Sequence, residues 1–154
     1  MTQQEVTYQI LTALAVRGFS NGEMEEINKL LSQFGAEQIR IDREYLAEVV
    51  QRSRVVVASI PITGRRTIVG IACLVPIVAI TGRSGWISHI VVDEGLRRGG
   101  IGTGMRECLV VEARRLSLRR LDLTSQESRT AAQGFWQKGG FVRRDTNNFR
   151  LELV

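Results

Sequence analysis

The sequence predicts an α+β domain in which a mixed central sheet carries helices on both faces, an α/β three-layer-like arrangement. Three observations support this. Two amphipathic helical patterns lie near the N-terminus, three β-branched runs joined by turn residues occupy the middle, and a glycine-rich turn opens a long helix in the second half. A chain of 154 residues, 44% apolar and 24% charged, suits a single domain over residues 1–154 with one sizeable core.

Val6 to Val16 is rich in strand formers and reads as a first strand. Ser20-Asn21-Gly22-Glu23 then has the spacing of a capping box, and Met24, Ile27, Leu30, Leu31 and Phe34 recur at helical intervals. Asp42 caps a second helix whose buried face is Tyr45, Leu46, Val49 and Val50, ending before Ser53. Arg54 to Ile60, Thr67 to Ile80 and Trp86 to Asp93 form an antiparallel meander, with Pro76 marking a bulge or an edge. After LRRGGIGTG comes a long helix with Ile101, Met105, Cys108, Leu109, Ala113 and Leu116 on one face. Leu121 to Thr124 is a short strand, Ser128 caps a helix running to about Lys138, and Gly139-Gly140 supplies its stop. Phe141 to Arg144 and Asn148 to Val154 close the chain as a strand pair.

Composition excludes several classes. The longest apolar stretch, Ile68 to Ile80, is thirteen residues with a proline inside, short of the ~18 a spanning helix needs. The first residues lack the pattern of a secretory signal, so a soluble, cytoplasmic protein with no membrane partner is expected. Cys73 and Cys108 form no C-x-x-C pair and read as reduced core thiols. With His89 the only histidine, no metal site is expected. The net charge of +5 comes from 21 basic and 16 acidic residues, and 19 of the basic ones are arginine. The arginine doublets are dispersed and aromatic content is 6%, so an anionic small ligand fits better than nucleic acid, which is not an expected partner.

The glycine turn fails the Gly-x-Gly-x-x-Gly test, since Met105 or Glu107 occupies the third position, and no Lys-Ser or Lys-Thr follows as in a P-loop. What remains is Arg97-x-x-Gly100-x-Gly102 between the strand end Val91-Val92-Asp93 and a helix. Such a turn gathers backbone N–H groups at a helix N-terminus and leaves room for a pyrophosphate. It also reads as a plain strand-to-helix connection.

VVDEGLRRGGIGTGM resembles the acetyl-coenzyme A signature of the GNAT superfamily of N-acetyltransferases, with Arg97, Gly100 and Gly102 at signature positions. LTSQESRTAAQGFWQKGGF followed by RRDTNNFRLEL is similar to that family's later strand, helix and strand pair, with Ala132, Phe135-Trp136 and Gly140-Phe141 matching. The resemblance implies a GNAT-like sheet and transfer of acetyl from acetyl-coenzyme A, a cosubstrate used without metal, to a primary amine by direct attack. It also implies a cofactor site at Ile90, Val91 and Val92, at Arg97, Arg98, Gly99, Gly100, Ile101, Gly102, Thr103 and Gly104, and at Arg129, Ala132, Phe135 and Trp136. The amine acceptor is a small molecule or a protein, homodimer formation stays open, and a catalytically weak acyl-coenzyme A binding module is the alternative.

Departures from the family pattern fall on the proton. Trp136 stands where many members carry a thiolate-protonating tyrosine, Arg98 replaces a glycine, and Arg129 replaces an asparagine. Candidate proton acceptors are Ser88, His89 and Glu94, with Glu44 and Glu48 behind them. Strict alternation points His89 away from Ser88, a count that a bulge in this strand would change, so a water chain ending on Glu94 or Glu48 is the expected base.

Overall fold

The computed structural model describes residues 5–34 and 39–153, which fall into two units, Met1–Thr124 and Ser125–Val154.

The first unit begins with β1 (Thr7–Ile10), shorter than the strand expected over Val6 to Val16. The rest of that run folds as α1 (Ala13–Arg17), because the Thr12 hydroxyl accepts from the Ala15 N–H at 3.2 Å and caps a helical turn. Leu11 and Val16 still enter the core, so a helix satisfies the same apolar spacing. α2 (Asn21–Ser32) starts on the full capping box: the Ser20 hydroxyl accepts from the Glu23 N–H at 3.2 Å, and the Glu23 carboxylate accepts from the Ser20 N–H at 2.7 Å. α3 (Arg43–Arg52) starts on Asp42, whose carboxylate accepts from the Tyr45 N–H at 2.8 Å. Leu46, Ala47 and Val50 are its buried residues, whereas Tyr45 is exposed; one turn into the helix it lies off the apolar stripe.

β2 (Arg54–Ile62), β3 (Arg65–Ala79) and β4 (Gly82–Val92) form the expected antiparallel meander, and β5 (Leu121–Asp122) lies parallel to β4. The order β1-β2-β3-β4-β5 makes one mixed sheet. β5 ends two residues earlier than expected. Pro76 pairs with Gly85 in regular register, and β2 reaches along β3 only as far as Leu74, so the proline lies on an open edge. The bulge is elsewhere. Cys73 pairs with His89 and Leu74 with Ile87, which leaves Ser88 as an extra residue in β4.

Helices cover both faces of this sheet. Leu11, Val16, Met24, Ile27, Leu30, Leu46 and Val50 pack with Val55, Val57, Ile71 and Val91 on one face. α4 (Ile101–Arg115) covers the other face, where a Cβ at Gly70 would fall 2.9 Å from the Met105 methyl. Met105 and Leu109 are fully buried there.

The second unit contains α5 (Thr130–Lys138). Ser128 does not cap it; the helix starts after Arg129 with no side-chain cap. Its end matches the expected glycine stop. Gly140 has φ 86°, its N–H donates to the Gln137 carbonyl at 3.0 Å, and the Phe141 N–H donates to Trp136 at 3.1 Å. The strand pair expected over 141–144 and 148–154 is absent from the described residues 141–153. Val142, Phe149, Leu151 and Leu153 are exposed, and alternation without a ladder partner makes no strand.

Candidate active site

β4 and β5 share only two registered positions, Gly85 with Leu121 and Trp86 with Asp122. From Ile87 to Val92 the side of β4 turned away from β3 has no strand partner among the described residues. At ~3.3 Å per residue this leaves an open backbone edge of roughly 17–20 Å. Its N–H and C=O groups are donors and acceptors for an extended ligand carrying amides.

The glycine turn lies at the C-terminal end of this edge. The Asp93 carboxylate accepts from the Gly95 N–H at 3.1 Å, which starts a 3-10 turn over Glu94–Leu96. Arg98 and Gly100 then take left-handed backbone, with φ 66° and 83°, and α4 begins. No side chain caps α4, so the N–H groups of Ile101, Gly102 and Thr103 stand at its positive end. A Cβ placed on Gly100 would meet nothing within 4 Å, so an anion can approach. The residues present therefore fit a pyrophosphate. Gly104 has a different task. Its N–H already bonds the Gly100 carbonyl at 3.0 Å, and a Cβ there would fall 2.2 Å from the Tyr8 ring, so its role is to let Tyr8 pack on the helix.

Arg97 projects from the turn with Nε donating to the Val92 carbonyl at 3.2 Å and a terminal nitrogen 3.5 Å from Gln33 Oε1. Arg98 is exposed.

The bulge corrects the expectation for His89. The extra residue breaks the alternation and brings His89 Nδ1 to 3.1 Å from Ser88 Oγ, so the two side chains meet instead of pointing apart. The Phe34 ring packs edge-on against the imidazole at 4.5 Å. Burial lowers the His89 pKa, which keeps the ring neutral at pH 7 and able to take a proton. Cys73 borders the pair, and burial raises its pKa above that of an ordinary thiol. Cys108 is shifted the same way, by burial first and then by Glu107. Neither thiol is poised as a nucleophile. Of the other candidates, Glu94 is exposed on the 3-10 turn, Glu44 is exposed at the start of α3, and Glu48 pairs with Arg52 at 3.3 Å.

The sequence profile of the acetyltransferase (GNAT) family matches residues 23–141. The chain belongs to the GNAT acetyltransferase family. Solved structures agree on the fold of this GNAT chain. An aminoglycoside acetyltransferase from an uncultured soil metagenomic sample, in complex with trehalose, superposes with TM-score 0.79 at 16% identity, covering 97% of each chain. A Trypanosoma brucei acetyltransferase gives TM-score 0.73 at 22% identity, covering 97% of this chain and 100% of the other. A ribosomal-protein-alanine N-acetyltransferase from Brucella melitensis biovar Abortus 2308 gives 0.70 at 18%, again over 97% and 100%. No curated protein sequence matches the chain.

In this GNAT chain the residues expected from the second unit are described within that unit. Ala132 is half-buried, and Trp136 is buried edge-on between Phe135 and Phe141, with ring centroids 4.9 and 5.1 Å away. The first unit brings together Ile90 to Val92, Arg97 to Thr103, and the Ser88 and His89 pair. Sequence reasoning missed Gln33, Lys29 and Phe34, which α2 delivers to the same end of the sheet. Only tertiary contact marks them, because Lys29 and Gln33 read in sequence as ordinary polar positions on a helix. Among the described residues no group of three or more His, Cys, Asp or Glu could hold a metal, and no helix is long and apolar enough to cross a membrane.

Proposed function

We propose that this GNAT acetyltransferase moves acetyl from acetyl-coenzyme A to a primary amine by direct attack. The observation that carries the reading is the open β4 edge running into an uncapped helix N-terminus behind a glycine at φ 83°. On this reading the Ile101 to Thr103 N–H groups and Arg97 hold the pyrophosphate. Backbone from Ile87 to Val92 holds the pantetheine amides, and an N–H near Ile90 to Val92 polarises the thioester carbonyl. Acetyl-coenzyme A supplies the activated thioester. A protonated amine cannot attack, so its proton must leave, and on this reading the neutral His89 beside Ser88 on the β4 edge takes it. Trp136 has no acidic proton to give the departing thiolate, and His89, once charged, is the group able to return one.

The test is release of free thiol from acetyl-coenzyme A against a panel of amines, including aminoglycosides and peptides with an N-terminal alanine, the acceptor classes that the neighbours' names suggest. Turnover with at least one amine supports the reading. Binding of coenzyme A with no thiol release for any amine would replace it with the acyl-coenzyme A binding module.

A further inference from the structure

The last turn of α2 holds the cofactor turn from outside. Lys29 Nζ lies 2.9 Å from Asp93 Oδ2, the carboxylate whose other oxygen starts the 3-10 turn. One turn later Gln33 Oε1 accepts from the Glu94 N–H at 3.0 Å, and the same oxygen is 3.5 Å from the Arg97 guanidinium. The guanidinium is thus approached from two sides, by the Val92 carbonyl at Nε and by Gln33 at a terminal nitrogen. A long exposed arginine otherwise samples many rotamers, and each one it must give up on binding weakens the complex.

We propose that Gln33 is a positioning residue that pre-sets Arg97 and the 3-10 turn for the pyrophosphate. The inference rests on the proposed acetyl-coenzyme A site and adds a residue from a helix outside the glycine signature. The amide side chain suits the task because its oxygen accepts from both donors while its nitrogen serves the Asp93 carboxylate and the group carries no charge. A carboxylate in its place would repel Asp93, neutralise the guanidinium and repel phosphate.

Calorimetric titration of the full chain with coenzyme A tests this in five proteins: wild type, Gln33→Leu, Gln33→Glu, Arg97→Ala and the Arg97→Ala, Gln33→Leu double variant. Gln33→Leu should weaken binding about three- to tenfold, the equivalent of one lost hydrogen bond. It should raise KM for acetyl-coenzyme A while leaving kcat and the pH profile unchanged. Gln33→Glu should bind more weakly than Gln33→Leu. In the Arg97→Ala background, Gln33→Leu should cost clearly less than in the wild type, because the arginine it positions is gone and only its bond to the Glu94 N–H is left to lose; a residue that acts only through the fold would cost the same in both backgrounds. Wild-type affinity in both Gln33 single variants, or an undiminished loss in the Arg97→Ala background, overturns the assignment of Gln33. If the wild type itself does not bind coenzyme A, the cofactor reading falls and not this one alone.

Discussion

Gly100 takes φ 83° at the start of α4, a region that a β-branched residue all but excludes. Gly100→Val should therefore abolish the rise in melting temperature that acetyl-coenzyme A gives the wild type, and a shift of normal size in a folded variant would place the ligand elsewhere. The two arginines before it differ in the same physical way. Arg97→Ala should weaken the cofactor by ~1.5–3 kcal/mol, the range for hydrogen bonds to charged groups. Arg98 holds φ 66°, so Arg98→Gly relieves strain and should raise stability by up to about 1 kcal/mol, with a smaller loss of affinity than Arg97→Ala causes. Calorimetry and thermal melts of both variants decide the order. His89 has its pKa lowered by burial, so activity should rise with pH through a value below the ordinary ~6.5 of histidine. His89→Gln should remove that limb while cofactor affinity holds, and a surviving limb would return the proton to a carboxylate. Stability has the same sign: below pH ~6.5 the unfolded chain binds a proton that the folded chain resists, so stability falls as pH drops, and His89→Gln should flatten that dependence. The sequence could not show this pairing, because the bulge that creates it is set by the register of Cys73 and Leu74 on the neighbouring strand.

The starts of α2 and α3 were legible because they are local, whereas the expected Ser128 cap of α5 is not formed. Ser20 with Glu23, and Asp42 with the Tyr45 N–H, are hydrogen bonds between residues three apart. Ser20→Ala should cost about 1 kcal/mol of stability, read by denaturant melts, with no direct effect on the cofactor turn. Thr12 carried the same signal before Ala13-Leu14-Ala15, but the surrounding strand formers hid it, and the expected strand over Val6 to Val16 ran through a helix start. The C-terminal alternation of Phe149, Leu151 and Leu153 misled in the opposite direction, because a strand needs a partner that sequence cannot supply. Gly104 shows a subtler limit. It looks like part of the phosphate turn, yet the Tyr8 ring against its Cα is what requires a glycine there. Gly104→Ala should lower the melting temperature by displacing Tyr8, and an unchanged melt would contradict that packing.

Taken as a whole molecule, the meander, the glycine turn and α4 were all readable, and with them the family. The divergence of β4 from β5 after Trp86 shows only in the pairing, which leaves six residues of edge without a strand partner among the described residues. The proposed chemistry depends on what fills that edge. Amide hydrogen exchange with and without acetyl-coenzyme A measures this directly. The account predicts new protection at Ile101 to Thr103 and along Ile87 to Val92 when the cofactor is bound, with β2 and its pairing to β3 unchanged. Protection confined to other segments, or none at saturating acetyl-coenzyme A, would contradict it.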